Sequence, residues 1–346
     1  MRDVTMKDIA AVVGVDPSTV SRALDPTKAH LVRAETLERI HATAKNMGYR
    51  GDRMAGALRR GSTGTAGVVV PDLANPFIAP AIHGIARALM PWQLVPIVVD
   101  TNDDHDELVA NLEHLMSRRV DVVIVAAARY GDGDYLEEAA RHTPLVLAIR
   151  GIPSSSLPQV LHDDHAGGRL AAEHLIELGH RRMVQLAGPL DVGNFDARHE
   201  GFATACEAAG VEVVSLTDTV DRPTRENGER LARLLLATHG DDMPSGLFAH
   251  NDLMAIGALS ALRDAGLRCP QDFSLVGYNN TLEMDLVDPA MTTVRYPSAE
   301  IGRAVGSLVV NMIRGVETEA PPLDLEPRLY VRHSTTTPRR TPVHSR

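Results

Sequence analysis

Residues 4–25, VTMKDIAAVVGVDPSTVSRALD, hold two short helix patterns joined at a glycine. Thr5 with Asp8 three places on has the spacing of a capping box, in which two side chains satisfy amides that a first helical turn leaves without partners. Ile9, Ala10 and Val13 form one apolar face, and Gly14 stands where a helix ends by turning left-handed, a conformation open to a residue without Cβ. Asp16 then caps a second helix. Pro17 fits its first turn, where no amide proton is needed, and Val20 and Leu24, four apart, face inward. Ser18, Thr19, Ser21 and Arg22 are left on the outside. This is the pattern of a helix-turn-helix, in which short hydroxyls near the amino end of the second helix reach base edges and a guanidinium fork matches O6 and N7 of guanine.

Charge supports that reading. Through Gly61 the chain carries 11 Lys and Arg against 7 Asp and Glu, a balance of +4, while the rest carries 24 against 38, a balance of −14. A phosphate backbone attracts the first part and repels the second, so the overall charge of −10 does not exclude nucleic acid and instead marks two modules. Leu31 to Met47 reads as a third helix, with Leu37, Ile40, Ala44 and Met47 on one face and Gly48 as its stop. In GDRMAGALRRGSTGTA, which follows Tyr49, Asp52 can cap a short helix through Arg60 before a Gly, Ser and Thr linker.

With TVSRAL after GVD, GY at 48 and 49, A-x-x-L at Ala55 and Leu58, GVVVPDLANPF, EHLIELGHRR, R-x-x-GF at 198–202, HNDLMAIGAL and LVGYNNT, the chain resembles the lactose-repressor (LacI/GalR) family of transcription factors from Val4 to about Thr337. The resemblance implies DNA contacts from Thr5, Pro17, Ser18, Thr19, Ser21 and Arg22. It also implies a hinge helix that folds when two protomers meet over an operator, with Ala55 in it, Leu58 as a minor-groove wedge and Arg59 along the groove beside it. Two positions depart from the pattern: Gly51 and Asp52 stand where the hinge usually has Pro-Asn, and Arg33 where the third helix usually starts on serine. The hinge is accordingly expected to be disordered without DNA.

From Ala66 the pattern changes to short apolar runs, GVVV, LVPIVV, VDVVIVA, PLVLAI, MVQLAG, GLFAH and FSLVGY, each followed by a helix-length amphipathic stretch. Such runs are buried parallel strands in βαβ units. The expected architecture is therefore α plus α/β: a three-helix headpiece at 1–50, a hinge helix and linker at 51–65, a two-lobed body at 66–337 and a polar tail at 338–346. The resemblance implies a body of the type I periplasmic-binding-protein kind, with three crossovers between lobes and a ligand cleft at the carboxyl ends of the strands.

By the same resemblance Asn75, Phe77, Arg150, Arg198, Asn251, Asn279 and the neighbouring Asp252 line that cleft. The family's acid before Arg150 is Ile149 here, its acid after the aromatic is Asn279 following Tyr278, and its stacking ring is Pro223, so Phe195 is expected to supply the missing apolar wall. With two acids gone, Arg150 and Arg198 should be less neutralised. The expected effector is a sugar, sugar derivative or polyol, with or without an acid or phosphate.

Other clusters read as structure. His162, Asp163, Asp164 and His165 suit a capped helix start more than a metal, Asp103 to Asp106 suit a solvated helix start, and Cys206 with Cys269 suit two reduced thiols. There is no Walker loop, G-x-S-x-G elbow or G-x-G-x-x-G, so neither enzyme nor cofactor is expected. No apolar run suits a membrane span or signal core, which places the protein in the cytoplasm. The tail STTTPRRTPVHSR has no heptads, making a homodimer on a near-palindromic double-stranded operator the default. The competing reading is a DNA-binding regulator whose degenerate cleft binds no small molecule, or binds a partner protein.

Overall fold

The computed structural model describes residues 4–25, 28–49, 62–214, 216, 220–315 and 325–339. The hinge expectations at Gly51, Asp52, Ala55, Leu58 and Arg59 lie outside the described residues. The chain divides into two compact units, Met1–Thr63 and Gly64–Arg346.

In the first unit, α1 (Met6–Val13) starts on a complete capping box: Asp8 N–H donates to Thr5 Oγ1 at 3.4 Å, and Thr5 N–H donates to Asp8 Oδ2 at 2.7 Å. It ends at Gly14, whose φ of 75° is the left-handed turn foreseen from the sequence. Helix α2 (Pro17–Ala23) is capped by Asp16, which accepts the Ser18 amide at 2.7 Å. The third helix, α3, covers Ala34–Asn46 and so begins later than the expected Leu31. Ala29–Leu31 form a separate 3-10 turn, Val32 and Arg33 are extended, and Arg33 caps no amide with its side chain, so nothing starts the helix earlier. Ile9, Val20 and Ile40 meet at the centre of this small core.

The second unit has two sheets. Strands β1 (Thr65–Val70), β2 (Val95–Asp100), β3 (Val122–Val125), β4 (Leu145–Ala148) and β5 (Gln159–Val160) form a parallel sheet in the order β2-β1-β3-β4-β5. Strands β6 (Arg182–Leu186), β7 (Glu212–Val214), β8 (Gly246–Ala249), β9 (Ser274–Asn279), β10 (Thr292–Arg295) and β11 (Arg328–Tyr330) form the other in the order β11-β10-β9-β8-β6-β7, with only β11 antiparallel. Helices α4 (Ile78–Leu89), α5 (His105–Ser117), α6 (Gly133–Ala140) and α11 (Ser298–Arg314) pack with the first sheet; α7 (Asp164–Glu177), α8 (Gly193–Ala208), α9 (Arg225–His239) and α10 (Asp252–Asp264) pack with the second. The chain passes between lobes after β5, after β10 and again between α11 and β11, the three crossovers expected.

One helix contact positions the cleft. A Cβ on Gly168 of α7 would lie 2.2 Å from Arg198 O, and one on Gly201 of α8 would lie 2.0 Å from His165 O. Only glycine lets α7 and α8 approach this closely, and the approach brings Asp164, at the start of α7, against Arg198 on α8.

Candidate functional site

On the headpiece, Pro17, Ser18 and Arg22 are exposed along α2, Thr19 and Ser21 are half-buried beside them, and Thr5 is exposed at the α1 cap. The Thr5 hydroxyl also donates to Asp8 Oδ2 at 2.7 Å, so the capping box engages it fully. Hydrogen bonds from Ser18 hold the Asp16 carboxyl below its ordinary range, which keeps the α2 cap ionised. The rigid cap presents the first turn of α2 in one orientation.

In the body, Arg150 follows β4, Phe195 and Arg198 lie on α8 after β6, Asn251 follows β8 and Asn279 ends β9. Arg198 is 1 % exposed; its Nε donates to Asp164 Oδ1 at 2.8 Å, an Nη donates to His250 O at 2.6 Å, and its guanidinium lies 3.8 Å from the centre of the Tyr278 ring. Arg150 is equally committed, forking onto Asp103 at 2.5 and 3.0 Å with both side chains almost fully buried. The expectation of under-neutralised arginines is therefore wrong: Asp103 and Asp164, from outside the family's acid positions, supply the compensating charges. Asp103 is correspondingly no solvated helix start. That role belongs to Asp104, which accepts the Glu107 amide at 3.0 Å, while His105 Nδ1 lies 2.6 Å from buried Asp132.

Ile149 explains how Arg150 reaches its partner. Its φ is +67°, and Arg150 N–H donates back to Ala148 O at 2.6 Å, a tight γ-turn. A β-branched residue in the left-handed region is strained, and that strain sits in the segment that aims Arg150 at Asp103.

The remaining expected residues divide by what their polar atoms already do. Asn75 Oδ1 accepts the Phe77 amide at 3.1 Å, and Asn251 caps α10 through Met254 N while donating to Pro223 O at 2.8 Å. Phe77 stands edge-on to Tyr296 at 4.7 Å, and Phe195 lies parallel to His250 at 6.3 Å and 5.0 Å from the Arg198 guanidinium, both rings buried. Asn279, with φ +115°, keeps a buried Oδ1 for which the described residues offer no partner.

Five further groups share that condition, none of them expected from the sequence as an effector contact: His162 Nε2, Asn194 Oδ1, His199 Nδ1, Tyr278 Oη and Tyr296 Oη. His162 lies 4.5 Å from Tyr296, ring to ring, and its Nδ1 meets Leu325 O at 2.6 Å. A carbonyl can only accept, so Nδ1 carries the proton and Nε2 presents a bare lone pair; burial lowers the His162 pKa and keeps the ring neutral. His250 is likewise neutral, depressed by burial and by Arg198, accepting from Gly188 N and donating to Gln185 Oε1. Asp163 caps α7 through Ala166 N at 2.8 Å, as a helix-start reading of that run requires.

Asp252 makes a separate prediction. Its two oxygens accept from Thr281 N at 2.9 Å and Thr293 Oγ1 at 2.7 Å, yet burial pushes it up to about 7 from 3.8. Between these values the folded chain retains a proton that the unfolded chain has lost, so this group's contribution falls as pH rises from about 4 to about 7 and is level above. The change is on the order of 4 kcal/mol. The depressed histidines titrate with the opposite slope, so the measurement is the difference between wild type and Asp252→Asn in urea midpoints at pH 5 and pH 7. The variant should gain relative to wild type as pH rises; parallel profiles would remove the assignment.

A cavity of about 440 Å³ is walled by Gln185, His199, Val213 and Leu231 of one lobe and Arg129 of the other, and none of the effector residues expected from the sequence lies in its wall. Its size is in the range of small-molecule sites.

Comparison with known proteins agrees with this architecture. The family described as bacterial regulatory proteins, lacI family, matches residues 5–52, and a periplasmic binding protein-like domain matches residues 172–335. The HTH-type transcriptional repressor PurR of Mannheimia succiniciproducens is 30 % identical over 333 residues, 95 % of this chain and 98 % of that protein. The HTH-type transcriptional repressor CytR of Escherichia coli (strain K12) is 29 % identical over 332 residues, 96 % of each. Among solved structures, the regulator CelR in complex with cellobiose is 31 % identical over 96 % of this chain and 99 % of that chain, with a TM-score of 0.70. The lac repressor dimer bound to operator and the anti-inducer ONPF shares the fold at a TM-score of 0.86 and 23 % identity, covering 97 % of this chain and 100 % of that one.

Proposed function

The chain belongs to the lacI family of bacterial regulatory proteins and is a DNA-binding transcriptional regulator, and from that premise we propose that it is a cytoplasmic repressor whose operator affinity is set by a neutral, hydroxyl-bearing effector, a sugar or simple glycoside, held between the lobes. The observation that carries the choice of effector is the pairing of both buried arginines with their own carboxylates, next to buried acceptors at Asn194, Asn279 and His162 that lack partners among the described residues. A phosphate or carboxylate ligand would have to break an ion pair; a hydroxyl donates to an open acceptor at no such cost. The acid- or phosphate-bearing option raised from the sequence is withdrawn for that reason. Calorimetry against neutral sugars and their phosphates tests it: tight binding confined to the phosphates overturns the reading, and no binding by any metabolite favours a cleft without a small-molecule role.

On DNA, Ser18, Thr19, Ser21 and Arg22 read base edges in the major groove, and Leu58 and Arg59 act at the minor groove. Two protomers bind a near-palindromic site with one half each. Selection of duplexes from random DNA should return an inverted repeat, and Arg22→Gln should relax one base position per half-site at a cost of about 1–3 kcal/mol. A uniform loss across all sequences would instead make Arg22 a phosphate contact.

Two exposed leucines support a site for the second copy. Leu282 and Leu286 are 89 % and 82 % exposed on the turn after β9, around Met284, which is fully buried. We assign this turn to the protomer interface.

A further inference from the structure

At the rim where Tyr130 of one lobe meets Asp191 of the other, the lobes are joined by side chains that the effector reading does not use. Arg129 precedes the turn Tyr130–Asp132, and its amide is fixed by Asp132 Oδ2 at 2.7 Å. From there its guanidinium crosses to the second lobe. One Nη donates to both Asp191 oxygens, at 3.0 and 2.8 Å, and the other donates to Asp221 O at 2.7 Å. Two neighbours complete the junction: Tyr130 N–H donates to Asp191 O at 2.9 Å, and Tyr130 Oη donates to Asp196 Oδ2 at 2.8 Å. The lobes touch here closely enough that a Cβ on Gly193 would lie 2.5 Å from Gly151 O.

We propose that Arg129 is the bolt of an interlobe latch that holds the cleft closed, so that the ease of breaking Arg129–Asp191 regulates effector access. The proposal rests on the reading of the cleft as an effector site, but every group in the latch belongs to the chain itself. Arg129, Asp191 and Asp221 also line the cavity of about 440 Å³, whose wall, apart from Arg129, comes from the second lobe, so separating Arg129 from Asp191 and Asp221 unseals that space as well. Inside the first lobe Arg129 lies 3.6 Å from Asp103, the carboxylate that Arg150 forks, which ties the bolt to a cleft residue. Asp191 is 56 % exposed, so the bond is screened by salt and reversible, unlike the buried Arg198–Asp164 pair.

The direct reporter is the Tyr130 amide, whose acceptor lies on the opposite lobe. In hydrogen exchange without added effector, Arg129→Gln and Asp191→Asn should each raise the Tyr130 exchange rate, corrected for its intrinsic rate, by roughly three- to tenfold. The double variant should go little further than either single one. Salt near 1 M should do the same to wild type and leave the variants unchanged, with small-angle scattering showing a larger radius in each opened case. Unchanged protection and scattering in both singles overturns the latch, as does full additivity in the double. Opening in the variants with no metabolite bound by any form upholds the latch and removes the effector reading; effector binding with Tyr130 protection insensitive to both variants does the reverse.

Discussion

Asp164→Ala is expected to lower the stability of the α/β body by about 3–5 kcal/mol, because it leaves a guanidinium that is 1 % exposed without its counter-charge. The remaining contacts of Arg198 do not replace that charge. A carbonyl oxygen at 2.6 Å and an aromatic face at 3.8 Å supply partial dipoles only, and the chain around α7 and α8 is too closely packed at Gly168 and Gly201 for the arginine to swing into water. Urea unfolding checks the value, and a second variant checks the cause. Asp164→Ala with Arg198→Met removes both charges and should recover part of the loss, since an unpaired buried ion costs more than a missing pair. Recovery stays incomplete because His250 O then loses its donor, worth about 1–3 kcal/mol. If the double variant is no better than the single one, the pair is not what Asp164 contributes.

The same pair shows where a single sequence stops being informative. The seven short apolar runs located β1 to β4, β6, β8 and β9, and in all but the edge strand β2 burial on both faces leaves a continuous hydrophobic signature. Strands β5, β7, β10 and β11 escaped that logic: β5, β7 and β11 are two or three residues long at sheet edges, and β10, though internal and buried, reads TTVR, two threonines and an arginine around one valine. The capping box at Thr5 and the turn at Gly14 were legible since their physics is local, completed within four residues. The partners of Arg150 and Arg198 were not. Asp103 is 47 positions from Arg150 and Asp164 is 34 from Arg198, and neither occupies the place where the family's acid usually stands. Charge balance in a buried site is a property of the folded neighbourhood, so two absent acids in the motif said nothing about two present ones elsewhere. Unpartnered atoms such as His162 Nε2 are legible only when the other ring nitrogen's carbonyl, from Leu325, has been located.

Leu282→Asp combined with Leu286→Asp is expected to separate the protomers and to weaken binding to an inverted-repeat operator by roughly 10²–10⁴, the gain that comes from holding two half-site readers together. The substitutions are chosen so that the fold of each protomer is untouched. Both leucines are more than four-fifths exposed, whereas the turn carrying them is anchored from within by Met284 and by the Thr281 amide on Asp252. In a two-fold interface each leucine counts twice, and burying four such side chains at roughly 1.5–3 kcal/mol each supplies a large part of what association requires. Aspartates in their place set like charges against each other across the axis, beside Glu283 and Asp285 of the same turn, which turns attraction into repulsion. Sedimentation should show wild type as a dimer and the variant as a monomer at micromolar concentration. The DNA measurement then separates dimer loss from damage to the reading head: the variant should bind an isolated half-site as well as wild type does, and only the inverted repeat should suffer. A variant that stays dimeric with operator affinity intact would move the interface to another face. Equal losses on half-site and full site would point back to the headpiece.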